Sequence, residues 1–414
     1  MHLINYFVSL LWFQFYFTPL FSQQVFKPFP QHINYTKGTI KPNNVLQKEL
    51  DNHVSTFYQQ WKKRYIKADA GEGLYYVSVE GTVERNVCVS EGQGYGMIIV
   101  AIMAGADPSA HKIYDGLFHF YKLHPSENSQ HLMAWAQKKN FEDFQKSSAA
   151  DGDLDMAYSL LLADVQWGSG GNINYCKEAQ QMIEAIKNQE INSQTFSVVL
   201  SNAVEQTSRD YFDTRSSDFM PAHFKVFSKI SGDELWLKVI DNTYKLFSSF
   251  QEKYSPDAGL LPDFIEHLDD IPEPARAMYL ESKYDGCYNY NACRNPWRIA
   301  TDYLLYGDKR AKVMVEKINK WIYEKSRGNP ADICAGYTLE GDVIRGRNYE
   351  AMSFIAPLAV SAMVEKKNQQ WVNKLWNYVI GVGIDDSDYF GNTIKMFNII
   401  ILSGNYWDPL QKSY

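Results

Sequence analysis

From about residue 45 onward, apolar residues recur mainly at i, i+3 and i+4 in segments of 10 to 18 residues, separated by short Gly, Asp, Asn and Pro punctuation. That period places apolar side chains on one face of a 3.6-residue helix, so helices dominate. The spacing predicts helices over 44–65, 94–105, 110–121, 130–136, 153–166, 174–187, 219–230, 233–251, 297–306, 308–325, 348–364, 368–380 and 390–402. Strand character is confined to YYVSVEG at 75–81 and the neighbourhood of 193–200. No Pro- or Ser-rich linker divides the helices, which predicts a single all-α domain over residues 23–414. Pairing them in a closed ring is economical, because each hairpin buries one face against its neighbours and leaves no exposed end. Residues 252–296 depart from the pattern: they are irregular and acidic and carry Pro262, Pro272 and Pro274. Long irregular segments inside a domain tend to be functional.

Residues 1–22, MHLINYFVSLLWFQFYFTPLFS, hold no Asp, Glu, Lys or Arg and end in small or polar residues before Gln23. They read as a secretory signal peptide cleaved near Ser22, although only the α-amino group and His2 supply positive charge ahead of the apolar stretch. The expected location is secreted or periplasmic. Later apolar runs, MIIVAIMAGA at 97–106 and FNIIIL at 397–402, fall short of the roughly 20 residues of a spanning helix. No membrane span is expected in the mature chain. With 41 basic against 48 acidic residues, a net charge of -7 and no basic cluster, the cationic footprint of nucleic-acid binding is missing. The five cysteines, Cys88, Cys176, Cys287, Cys293 and Cys334, are odd in number and lack CxxC spacing, which predicts buried free thiols. There is no HExxH, no GxSxG, and the nine histidines are scattered. No metal and no cofactor is expected, and the chain is read as a monomer. What does call for explanation is the aromatic content, 15% of all residues, of which the leader holds only a small part.

Three constellations can carry chemistry. In SEGQGYGM at 90–97, Ser90 suits a helix N-cap and places Glu91 in the first turn. Glu91 is then either a capping carboxylate or, ringed by Tyr95, Met97 and other apolar neighbours, an acid whose raised pKa suits proton donation near neutral pH. The glycines are expected to let a bulky ligand approach the backbone. In DGDLD at 151–155, Met156 and Leu162 stand where a calcium loop needs Gly and Glu. Asp153 and Asp155 read as helix starters, leaving Asp151 to face a cleft. The third constellation, 280–298, crowds Glu281, Asp285, Arg294 and Arg298 with Tyr288, Tyr290 and Trp297. It is either a charged surface loop or one side of a polysaccharide-cleaving site, which needs an acid for the leaving oxygen, a base for water and aromatic faces for sugar rings.

These motifs resemble those of glycoside hydrolase family 8, the inverting cellulases, lichenases, chitosanases and reducing-end xylanases, over roughly residues 55–402. SEGQGYGM is similar to the catalytic-acid signature, implying that Glu91 protonates the glycosidic oxygen. ADGDLDMAYSLLLAD at 150–164 is similar to the second family motif, implying that Asp151 contacts the sugar and helps orient the water. LMAWAQ at 132–137 implies that Trp135 is a sugar platform, and Tyr95, Tyr290 and Arg294 are carried over as substrate-binding groups. The fold implied is an (α/α)6 barrel.

One departure is chemically important. Where the cellulase and xylanase branches have Asp, YNACRNPWR at 290–298 has Asn291, and an amide cannot deprotonate water. The resemblance to the chitosanase and lichenase branch, which uses a Glu from an inserted segment, makes Glu281 the expected base, with Asp285, Glu273 and Glu266 as alternatives. TRSSDFMPAHFKVF at 214–227 also resembles that branch and adds Asp218 as a substrate contact. The expected reaction is hydrolysis of a β-1,4-linked polysaccharide, a β-glucan or chitosan, with inversion of configuration. Inversion asks for catalytic carboxyl groups about 6.5 to 9.5 Å apart. The competing expectations are a catalytically inactive carbohydrate-binding protein of the same fold, motivated by Asn291, and a reducing-end xylanase.

Overall fold

The computed structural model describes residues 24–79 and 86–410; the leader at 1–22 lies outside them. Their regular structure is dominated by twelve α-helices: α1 (Gln47–Tyr65), α2 (Ser90–Ile102), α3 (Ala110–Leu123), α4 (Ala150–Trp167), α5 (Tyr175–Gln189), α6 (Pro221–Ser231), α7 (Leu235–Lys253), α8 (Asn295–Tyr306), α9 (Lys309–Lys325), α10 (Met352–Ala362), α11 (Gln369–Gly381) and α12 (Tyr389–Leu402). The even-numbered helices touch in order, and α12 closes back onto α2. Outside them, α3, α5, α7, α9 and α11 each pack on the helix before, while α1 packs on α12. This is the (α/α)6 barrel, an inner ring of six helices within an outer six.

Sequence sorts the two rings. Helix α10 (MSFIAPLAVSA) is buried along its whole length, and α4 and α12 are buried almost throughout. An outer helix such as α5 buries only Tyr175, Ala179, Met182, Ile183, Ala185 and Ile186, one stripe at helical spacing. Helices enclosed by others tolerate apolar residues all round, whereas a surface helix needs only one apolar face.

One charged cluster inside the barrel is ion-paired. Asp155 accepts from Arg298 Nη1 and Nη2 at 2.8 and 2.5 Å and contacts His223 Nε2 at 2.9 Å, all three buried. Asp155 is therefore a core ion-pair partner rather than the helix starter its position suggested. Truncating one partner of such a buried pair strands a charge and is strongly destabilising.

The glycines of 92–96 serve helix packing rather than ligand approach. A Cβ on Gly94 would lie 2.9 Å from Asp155 Cβ and from the Gly152 carbonyl oxygen, and one on Gly152 would lie 2.5 Å from the Ser90 carbonyl carbon. Helices α2 and α4 thus meet backbone to backbone at the ends that carry Glu91 and Asp151. The helix begins at Ser90, with Val89 rather than Ser90 as its cap, so Glu91 stands in the first turn as the Ser90 motif suggested and four residues of helix precede the start that periodicity gave.

Short antiparallel strands fill the connections: β1 (Ile66–Lys67) with β2 (Tyr76–Val77), β3 (Asn86–Val89) with β6 (Ala136–Lys138) and β7 (Asp143–Gln145), β4 (Pro125–Ser126) with β5 (Ser129–Met133), and β8 (Thr214–Arg215) with β9 (Phe264–Glu266) and β10 (Glu273–Pro274). The helix expected over 130–136 is strand β5 followed by the start of β6. Seven residues are too few for a stable helix, and the Trp135 carbonyl instead accepts from Ser90 N at 2.8 Å. Of the segment 75–81, Tyr76 and Val77 form the strand, and 80–81 lie outside the described residues. At 193–200 there is one bridge, Ile191 to Val198, rather than a strand. All five cysteines are free; Cys88 and Cys293 are buried and the other three partly so.

Candidate active site

Five inner helices aim their N-terminal ends at one cavity. Glu91 sits in the first turn of α2 and Asp151 in the first turn of α4. Arg215 ends the strand leading to α6, Asn291 and Arg294 lead into α8, and Asp388 caps α12, accepting from Gly391 N at 2.8 Å. The cavity, of about 500 Å³, is lined by these residues with Val89, Trp135, Glu281, Tyr290, Tyr389 and Phe390. Helix N-termini carry partial positive charge, which suits a cluster of carboxylates.

Arg294 ties the cluster together. Its Nη1 donates to Glu91 Oε2 at 2.6 Å, Asp151 Oδ2 at 2.9 Å and Tyr95 Oη at 3.0 Å, and its Nη2 donates to Ser217 Oγ at 2.8 Å and Asn291 Oδ1 at 2.7 Å. Arg215 forms a second ion pair with Asp151 at 2.9 Å. The two carboxyls respond oppositely. Burial raises Glu91 to about 7, with Asp151 adding repulsion that outweighs part of the relief from Arg294 and Arg215. Burial acts on Asp151 too, but its two arginine partners overcome it and hold it at about 2. One group thus keeps a proton near neutral pH beside another that stays ionised, the separation expected of an acid and its electrostatic partner. The Glu91 side chain remains 18% exposed, so its proton is reachable.

Glu281 lines the same cavity from the 276–285 loop. Asn291 Nδ2 donates to its Oε2 at 2.8 Å, which completes a hydrogen-bonded path Glu91–Arg294–Asn291–Glu281. Burial raises the Glu281 pKa, opposed by Arg215, the Asn291 hydrogen bond and Arg294. The alternative bases are placed otherwise. Asp285 is buried and accepts the backbone N–H groups of Leu280, Glu281 and Ser282 at 2.8, 3.0 and 2.7 Å, shaping the loop that presents Glu281. Glu266 is bound by Arg276, and Glu273 lies on the surface beside His267. None of the three lines the cavity.

Among the expected substrate contacts, Trp135, Tyr290 and Arg294 line the cavity. Tyr95 and Asp218 have no exposed surface and stand behind the wall: Tyr95 supports Arg294, and Asp218 binds Arg215 Nε at 3.1 Å. Tyr95 lies one helical turn past Glu91, which carries it deeper into the barrel. For the same reason Trp297, three residues past Arg294, packs on Phe397 with ring centroids 4.6 Å apart. Tyr288 is equally buried against Phe354.

The structure adds groups absent from the sequence reading. Arg215 and Asp388 line the cavity, although Arg215 lay inside the quoted TRSSD segment. Asp263 Oδ1 accepts the backbone N–H groups of Asn289, Asn291 and Ala292 at 3.2, 3.0 and 2.7 Å, fixing the turn that carries Asn291 and Arg294. Burial raises its pKa to about 8 against those hydrogen bonds.

Comparison with known proteins identifies the family. The profile described as Glycosyl hydrolases family 8 matches residues 40–403. The chain is 44% identical to a beta-glucanase of Niallia circulans, over 92% of this chain and 91% of that protein. It is 43% identical to an endoglucanase of Bacillus sp. (strain KSM-330), over 93% of this chain and 82% of that protein. A solved beta-1,3-1,4-glucanase from Paenibacillus sp. X4 superposes with a TM-score of 0.89 at 43% identity, covering 92% of this chain and 99% of that one. A reducing-end-xylose releasing exo-oligoxylanase, at 19% identity and a TM-score of 0.73, shares the fold. With its barrel, its paired carboxyls and these relatives, the chain belongs to glycosyl hydrolase family 8.

Proposed function

We propose that the protein is a secreted or periplasmic endo-β-glucanase that hydrolyses β-1,4 or mixed-linkage glucan with inversion of configuration. The observation that carries this reading is that Glu91 and Glu281 line one cavity and are joined through Arg294 and Asn291. The 43–44% identity to proteins named beta-glucanase and endoglucanase supports the substrate class. Protonated Glu91 donates its proton to the glycosidic oxygen as the bond from that oxygen to the anomeric carbon breaks. Water attacks the anomeric carbon from the opposite face, and ionised Glu281 takes the water proton. Asp151, kept charged by two arginines, holds the sugar and water in line and stabilises the positive charge developing on the ring. Trp135 supplies the apolar platform under a sugar ring. Residues 1–22 carry the export reading, which N-terminal sequencing of the mature protein tests.

The decisive experiment is a reducing-sugar assay on mixed-linkage β-glucan, carboxymethyl cellulose, xylan and chitosan in parallel, with NMR of the first anomer released. Rapid mid-chain cleavage of glucan to α-anomeric ends is the expected result. Initial release of the β-anomer rejects inversion, and binding to every polymer without cleavage favours an inactive carbohydrate-binding protein.

A further inference from the structure

Five of the six inner helices contribute to the cavity wall through their N-terminal ends or the residues just before them. The sixth, α10, contributes none. The loop before α10 instead carries Arg347 and Tyr349, beside Tyr290 of the wall. Tyr349 is 44% exposed, and its hydroxyl lies 3.0 Å from that of Tyr290 and accepts from Arg347 Nη1 at 2.7 Å. The Arg347 guanidinium lies 4.9 Å from the Tyr290 ring centroid and 5.5 Å from that of Tyr284. Tyr284 in turn donates to the Arg345 carbonyl at 3.0 Å, closing the surface. An exposed ring, phenol hydroxyls and a planar cation with spare N–H donors, all held in place, form a surface suited to a polyhydroxylated ring.

Its charge also discriminates. Arg347 forms no ion pair among the described residues, so it presents an uncompensated positive charge to whatever binds there. On another flank of the cavity, Phe144 is exposed next to Trp135, with ring centroids 6.3 Å apart, and Lys138 Nζ lies 5.1 Å from the Phe144 centroid. Inside the cavity, Glu91 and Asp151 are matched by Arg294 and Arg215, whereas Glu281 and Asp388 form no ion pair among the described residues, so the positive charge that discriminates lies at the outer surfaces. A cationic polymer therefore meets like charge at both outer surfaces, and an uncharged one does not.

We propose that Tyr284, Tyr290, Arg347 and Tyr349 form an outer sugar-binding subsite that continues the cavity and selects an uncharged β-glucan chain over cationic chitosan. The inference rests on the hydrolase reading and specifies its substrate. The test compares unmutated enzyme with Tyr349→Ala, Arg347→Ala and Arg347→Glu on mixed-linkage β-glucan, chitosan and cello-oligosaccharides of increasing length. The expected result is a KM about tenfold higher on long chains for the two alanine variants, with a much smaller rise on short ones. Arg347→Glu is expected to raise kcat/KM on chitosan relative to glucan. Tyr349→Phe keeps the ring and is expected to retain most long-chain affinity, which separates stacking from misfolding. Changes equal at every chain length, or chitosan preferred by the unmutated enzyme, overturn the subsite and leave the hydrolase reading standing. If the unmutated protein cleaves no glucan, that reading falls, and affinity electrophoresis in glucan-containing gels reads the subsite by itself: retardation lost in Tyr349→Ala supports it, and unchanged retardation overturns it.

Discussion

Asn291 donates from Nδ2 to Glu281 Oε2 at 2.8 Å while its Oδ1 accepts from Arg294 Nη2 at 2.7 Å. A neutral amide thus stands between the arginine cluster and the carboxyl proposed as base, and it steers Glu281 toward its charged form. A carboxylate at position 291 would instead repel Glu281.

Glu281→Gln is expected to lower kcat by about 10³-fold, within the usual range for losing a general base. Adding Asn291→Asp in that background restores a carboxylate at the adjacent position, and a partial recovery of kcat is expected. Asn291→Asp alone raises the Glu281 pKa, so the acid-side limb of the pH–kcat profile moves upward. Full activity of Glu281→Gln would remove Glu281 from the chemistry.

As the proposed acid, Glu91 has to carry a proton, and burial raises its pKa to about 7. The rate is therefore expected to fall as pH rises through about 7. Glu91→Gln should abolish turnover while leaving oligosaccharide affinity, measured by calorimetry, within about threefold.

Gly152→Ala places a Cβ 2.5 Å from the Ser90 carbonyl carbon and 2.7 Å from Glu91 N. Overpacking of this kind costs about 1–3 kcal/mol, and here it also displaces Glu91. Chemical denaturation should show the loss, with kcat falling in parallel. Gly383→Ala, with no atom within 4 Å of the added Cβ, is expected to change stability by less than about 0.5 kcal/mol.

Asp153 and Glu190 are fully buried close together, and one oxygen of each, Asp153 Oδ2 and Glu190 Oε2, has no hydrogen-bond donor, so the pair is expected to share a proton. Asp153 also accepts from Met133 N at 3.0 Å and Glu190 from Ser148 Oγ at 2.5 Å. Burial raises both, Glu190 to about 7 and Asp153 well above its usual range. A raised acid stabilises the fold below its unfolded pKa, about 4. That contribution is lost as pH rises through the folded value, because the unfolded chain releases the proton first. Through Glu190, stability is expected to decline between about pH 4 and 7 by about 1 kcal/mol per pH unit. Asp153→Asn should flatten the curve measured by urea unfolding at several pH values; an unchanged slope would remove the shared proton from the account.

Local spacing made the helical ring legible, since the outer helices keep a one-sided 3.6-residue stripe and the inner ones read as apolar runs bounded by Gly, Asp, Asn and Pro. Short motifs likewise marked Glu91, Asp151, Trp135, Glu281, Tyr290 and Arg294, each within a few residues of a break in that period. Depth was not legible. Glu91 faces the cavity and Tyr95 the core, yet both belong to one motif, because a single turn of α2 separates rim from interior. The same turn buries Trp297 behind Arg294. Periodicity also missed the β5–β6 segment, whose apolar residues fit a helix as readily as a strand until β4 pairs with β5, and β3 and β7 with β6. Arg215, Asp263, Asp388 and the Asp153–Glu190 pair became visible only once the ring closed. Their meaning lies in partners far along the chain, and closure alone sets which carboxyl is neutralised by an arginine, which keeps a proton, and which is spent on the backbone.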